Sequence, residues 1–201
     1  MVAQEEQRRL SVEAWRDLLR RTGRRYEYSD GWVTLMAGGT LGHAAIAKNA
    51  VRAIEDALGD HPCWVYGSDA AVRLSPTEYR FPDLTVTCDE GDRPTITHTE
   101  VRTPRICLEV LSESTKKADE TDKAELYRAC PSVQEFGFIG TRRQVVEVHH
   151  RTEVGWLVDL YGPDDVLVLR SIGVEVPVAA LYRRTDVPLL AKKRRLQEGK
   201  V

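Results

Sequence analysis

The chain has 201 residues, 42% of them hydrophobic and 30% charged, with a formal net charge of -2. That length suits one domain with a substantial core, and the near-balanced charge leaves any nucleic-acid contact to local basic patches rather than a global field. No apolar run approaches the ~20 residues of a membrane-spanning helix, and "MVAQEEQRRL" lacks the profile of a signal peptide, so a cytoplasmic address is expected.

In chain order, "SVEAWRDLLRRTG" has the rhythm of a short amphipathic helix, with Ser11 as its N-cap and Gly23 as its stop. "RRYEYSDGWVTLM" reads as a hairpin turning at Ser29, Asp30 and Gly31. "HAAIAKNAVRAIEDALG" is the strongest helix signal, alanine-rich and ended by Gly59. Strands are then predicted at "CWVYG", "AAVRL", "FPDLTVTC" and "RICLEVL". A second good helix runs between Thr115 and Cys130 and is closed by Pro131. The strand-rich remainder, "EFGFIG", "QVVEVHHR", "GWLVDLYG" and "DVLVLRS", ends in a short helix near "VAALYRR" and a basic tail. This order fits an α/β (mixed α+β) fold, a mixed sheet with helices packed on it, better than a barrel or a bundle.

Cys63, Cys88, Cys107 and Cys130 are widely spaced, and no two form a C-x-x-C. Zinc and a disulfide framework are both disfavoured on that count, and the expected role is four small core residues in a reducing compartment.

Glu109 poses the sharpest question. In an extended "ICLEVL", Ile106, Leu108 and Val110 share one face while Cys107, Glu109 and Leu111 share the other, so an acid stands in an otherwise apolar strand. Burial of an unpaired carboxylate costs several kcal/mol or protonates it, so a compensating group is required. A buried Arg or hydrogen bonds would serve structurally. A shared divalent cation would serve as well, and Asp83, after Pro82 at the mouth of the preceding strand, is a second carboxylate of the right kind. On the next helix Lys116, Lys123 and Tyr127 lie within roughly 40° of one another, on a face that can cover the sheet above Glu109. An ammonium beside two carboxylates and a hard cation is a device for water attack on a phosphate.

With its surroundings this constellation resembles the Uma-type family of restriction-endonuclease-like proteins, within the PD-(D/E)XK nuclease superfamily. The resemblance spans most of the chain through "YEYSDGWV", "TLGHAAI", "RFPDLTV", "CLEVLSEST", "DKAELY" and "EFGFIG". It implies a restriction-endonuclease-like core, a central mixed β-sheet flanked by helices. It also implies catalytic Asp83, Glu109 and Lys123, with Asp83 and Glu109 as ligands of Mg2+ or Mn2+. The superfamily pattern wants a lysine two residues after the Glu, where this chain has Leu111. Lys123 in the following helix matches the displaced lysine of the family, and Lys116 is its reserve. Glu27, His43, Ser112 and Tyr127 match further family positions as accessory residues.

The organisation expected is one domain over residues 1–201: an N-terminal helix and hairpin (1–40), a nuclease core (43–140), a strand-rich extension (141–190) and a basic tail (191–201). The function implied is metal-dependent hydrolysis of phosphodiester bonds in DNA, by a homodimer on analogy with relatives. Arg24, Arg25 and the tail are candidate phosphate contacts. The alternatives are a non-catalytic module binding nucleic acid or protein, and a phosphodiesterase acting on RNA or small nucleotides.

Overall fold

The computed structural model of the chain is described over residues 9–111 and 117–189. Ser112, Lys116 and the basic tail, all singled out above, lie outside these residues.

Helix α1 (Val12–Thr22) begins where expected, with the Ser11 side chain accepting the Ala14 N–H, and ends at Gly23 with φ 63°. Its buried Trp15 packs against Tyr28 and Tyr79, with ring centroids 5.7 and 4.6 Å away. Those tyrosines belong to a five-stranded sheet. It contains β1 (Tyr26–Ser29), β2 (Trp32–Leu35), β4 (Ala71–Ser75), β5 (Glu78–Arg80) and β7 (Glu100–Val101), ordered β2-β1-β5-β4-β7. The β1–β2 turn uses Asp30 and Gly31 at φ 45° and 93°, the left-handed region that such a tight reversal needs.

Helix α2 (Leu41–Leu58) buries Ile46, Ala50, Ile54 and Leu58, a stripe repeating every four residues. The stripe lies on a six-stranded sheet made of β3 (Trp64–Gly67), β6 (Leu84–Thr87), β8 (Ile106–Val110), β9 (Glu135–Ile139), β10 (Val146–Thr152) and β11 (Gly155–Tyr161). Its order is β11-β10-β9-β8-β6-β3, with β8 and β9 parallel and the other neighbours antiparallel, so the sheet is mixed. Helix α3 (Lys117–Ala129) packs on the opposite face through Ala124 and Tyr127.

Strand β8 therefore divides as its alternation predicts. Ile106, Leu108 and Val110 join the core beneath α2, and Cys107 joins the core beneath α3. Hairpin β12 (Val166–Leu169) and β13 (Val174–Pro177), followed by α4 (Val178–Leu181), closes the α2 side with Leu167, Leu169, Val176 and Leu181.

"AAVRL" is a strand as expected, β4 of the five-stranded sheet, between β5 and β7, two segments too short to read as strands from pattern alone. One expectation needs correction: the cysteines are not four unbonded core residues. Cys63 and Cys88 are joined by a disulfide, since the antiparallel β3–β6 register, with Trp64 opposite Thr87, brings residues 25 apart in sequence to a Cα separation of 4.0 Å. Cys107 and Cys130 are buried free thiols, as expected. Among the described residues no helix is long and apolar enough to cross a membrane.

Candidate active site

Register creates the site. Leu84 of β6 stands opposite Leu108 of β8, so one step further the chain sets Asp83 opposite Glu109, at neighbouring-strand distance. Beyond the paired residues of β6 the Asp83 side chain, not the backbone, serves the Val110 N–H: its Oδ2 accepts it at 2.8 Å. The same oxygen lies 3.2 Å from His43 Nε2. His43 is fixed in the first turn of α2, where its N–H donates to the Thr40 hydroxyl that caps the helix. The hydrogen bond to Asp83 holds the imidazole above its ordinary pKa, against the opposing effect of burial.

Glu109 is only 6% exposed. Its Oε1 accepts the Tyr127 hydroxyl at 2.5 Å, and its Oε2 lies 3.1 Å from Lys123 Nζ. Lys123 and Tyr127, four apart on α3, reach one carboxylate because they share a helix face. Burial raises the Glu109 pKa to about 7; Lys123 and the Tyr127 hydrogen bond oppose the rise, and the Asp83 charge adds to it. Burial, then the Glu109 charge, pushes the Tyr127 phenol well above its usual range.

Asp83, Glu109, Lys123 and His43 line one cleft of about 810 Å3. Glu27 of β1 lines it too, with Arg80 3.9 Å from its carboxylate, and its charge is among those that raise the Tyr127 phenol. Arg80 also pairs with Glu78 at 2.8 Å and donates to the Tyr28 carbonyl. Arg25, Lys48 and Arg52 supply positive charge on the lining, with Arg25 held by the Ser68 hydroxyl and carbonyl. Arg24 is exposed and is not part of that lining.

The structure thus gathers Asp83, Glu109, Lys123, His43 and Glu27 around one space, with Tyr127 buried beneath Glu109. Ser112 and Lys116 fall outside the described residues. Lys48, Arg52 and Arg80 were missed in the sequence. The four-residue spacing of Lys48 and Arg52 on α2 was an available signal, whereas the role of Arg80 depends on the β1–β5 pairing.

Carboxylate oxygens suit a hard divalent cation such as magnesium or manganese. Oδ2 of Asp83 is committed to the Val110 N–H and His43. No third Asp, Glu, His or Cys ligand atom among the described residues closes on both acids to within 4.8 Å. The donor set is therefore two carboxylates with the remaining positions left to water or substrate oxygen, which is the usual habit of magnesium.

Comparisons with known proteins agree on what this arrangement is similar to. Residues 12–179 match the family described as "Putative restriction endonuclease" (Uma2). The chain is 30% identical over 177 residues to the uncharacterized protein slr1290 of Synechocystis sp. (strain PCC 6803), covering 87% of this chain and 92% of that one. It is 28% identical over 136 residues to sll1609 of the same organism, covering 66% and 76%. A crystal structure of a putative nuclease belonging to DUF820, from Anabaena variabilis, superposes with a TM-score of 0.67 at 16% identity, covering 86% of this chain and 97% of that one. At that identity the superposition establishes the fold alone, a mixed α+β core.

Proposed function

Because the chain belongs to the Uma2 family of restriction-endonuclease-like proteins, we propose that its cleft hydrolyses phosphodiester bonds in DNA with magnesium or manganese as cofactor. The observation that carries this reading is the meeting of Asp83 and Glu109 on neighbouring strands, with Lys123 Nζ 3.1 Å from Glu109. A divalent cation held by the two carboxylates would supply Lewis-acid stabilisation of the charge that builds on the phosphate.

The side chains divide the remaining work. His43 and the Val110 N–H hold Asp83 in orientation by occupying one oxygen. Tyr127 holds Glu109 by Oε1, and Lys123 brings an ammonium to the cleft, where it can retain a water or neutralise a phosphoryl oxygen. Arg25, Lys48 and Arg52 meet flanking phosphates. The working unit is a homodimer, for which β11 offers an open sheet edge.

The test is cleavage of plasmid and oligonucleotide DNA by the purified chain with each cation. Asp83→Ala and Glu109→Ala are expected to abolish cleavage while circular dichroism stays native. Undiminished cleavage by both variants refutes the assignment. A wild type that cuts RNA or small nucleotides but not DNA moves the same site to another substrate.

One observation favours a second reading, a non-catalytic binding module. The Lys123–Glu109 pair and the Tyr127 hydroxyl already compensate the buried acid without a cation. Calorimetry separates the two readings, because the module takes up no magnesium or manganese and the nuclease takes up either through Glu109.

A further inference from the structure

At the end of β6 away from Asp83, three potential ligands converge that the cleft does not use. The imidazole of His61 and the sulfurs of Cys63 and Cys88 each offer a donor atom, and all three atoms lie within 4.8 Å of one another. We propose that these residues form a second metal site, selective for zinc-like cations and available when the Cys63–Cys88 disulfide is reduced.

The fold builds this site from two directions. The β3–β6 register sets Cys63 beside Cys88, while the link from α2 delivers His61. That link is fixed by the His61 N–H donating to the Leu58 carbonyl at 2.9 Å and the Cys63 N–H donating to the His61 carbonyl at 2.8 Å. Both cysteines are half-buried against the core under α2, and His61 is exposed, so a cation and a reductant can approach from solvent. Zinc binds thiolate at about 2.3 Å and imidazole at about 2.0–2.1 Å, so tetrahedral donors stand roughly 3.5–3.8 Å apart. The observed spread accommodates that geometry once the two sulfurs separate, and water completes the fourth position.

Ligand softness separates this site from the cleft. Two sulfurs and an imidazole select zinc over magnesium, whereas the all-oxygen Asp83–Glu109 pair selects the reverse. The two forms exclude each other chemically. A dithiol reductant delivers two electrons and two protons to the S–S bond and leaves as its own disulfide. The two thiols then lose those protons as two metal–sulfur bonds form, and the two thiolate charges neutralise the cation. A neutral complex suits a half-buried position. In either form the outer strand β3 is clipped to β6, by a covalent bond when oxidised and by a cation when reduced.

Cobalt(II) is the probe. The full chain is reduced with a phosphine, freed of metal and titrated anaerobically. The expected result is a stoichiometric rise of thiolate-to-cobalt charge-transfer absorption with tetrahedral visible bands, reversed by zinc and absent from the oxidised chain. Cys63→Ser and Cys88→Ser should abolish the signal, and His61→Ala should weaken binding roughly tenfold or more. Asp83→Ala and Glu109→Ala should leave it intact, so its outcome is independent of the nuclease assignment. Absence of the bands from the reduced wild-type chain overturns the proposal. So does their presence with the disulfide intact, or their survival in Cys63→Ser.

Discussion

Burial holds the Glu109 carboxyl at a pKa of about 7 against an ordinary 4.5, with Lys123 opposing and Asp83 reinforcing the shift. In the metal-free protein the folded chain therefore keeps a proton that the unfolded chain releases between about pH 4.5 and about 7. Stability contributed by this group is present below that window and is lost as pH rises through it, the reverse of an acid held in its ionised form. Glu109→Gln should remove this part of the slope, which urea midpoints on either side of the window will measure against wild type. An identical slope in both proteins contradicts the assignment. The same proton must leave when a cation binds, so manganese affinity should rise with pH. Tyr127→Phe deletes the donor to Oε1, and a buried oxygen that loses a partner costs about 1–3 kcal/mol. It should also move the pH midpoint for manganese binding upward, and an unchanged midpoint would show that the hydroxyl does not hold the carboxylate. At this scale the sequence was informative wherever a residue was out of place. An acid inside ICLEVL declared itself, the Asp after Pro82 gained meaning only in combination with it, and helical spacing aligned Lys123 with Tyr127. The Val110 N–H and Arg80 were silent, because their roles arise from partners that only the folded register supplies.

Among the elements, β9 shows how a strand can be defined by what it lacks. A Cβ at Gly137 would stand 2.4 Å from the Glu147 carbonyl oxygen, 3.1 Å from Leu108 Cδ2 and 3.2 Å from Val148 Cγ2. β8 and β10 flank β9, so the clash would pry apart the centre of the large sheet. Gly137→Ala should cost about 3 kcal/mol, read from chemical denaturation, and a neutral effect would mean that the strands yield more easily than the packing implies. Most elements were legible from period and punctuation: α1 with its caps, the β1–β2 turn, and α2 with its four-residue apolar repeat. Alternation reveals a strand but not its partner. For that reason the sheet that β4 joins and the Cys63–Cys88 neighbours both went unseen.

For the whole molecule, the decisive feature is that two helices approach one strand mouth from opposite faces of the sheet. His43 arrives from α2, Lys123 and Tyr127 arrive from α3, and the five-stranded sheet adds Glu27 to the wall. The order of elements announced a mixed sheet flanked by helices, but not the separation into two larger sheets and a hairpin, since short β5 and β7 carry little pattern. The outer strand β11 exposes Leu157, Val158 and Leu160 at 44%, 45% and 66%. An apolar edge of this kind is a template for pairing with a second copy. Sedimentation equilibrium should find a dimer that Leu160→Lys shifts toward monomer, whereas a monomeric wild type would remove β11 from that role. Anomalous diffraction from a manganese-soaked crystal tests most directly the proposal that Asp83 and Glu109 share one cation. A single peak within coordination distance of a carboxylate oxygen from each residue is the predicted result. An empty cleft at saturating manganese, or a peak bound to only one of the two, would contradict it.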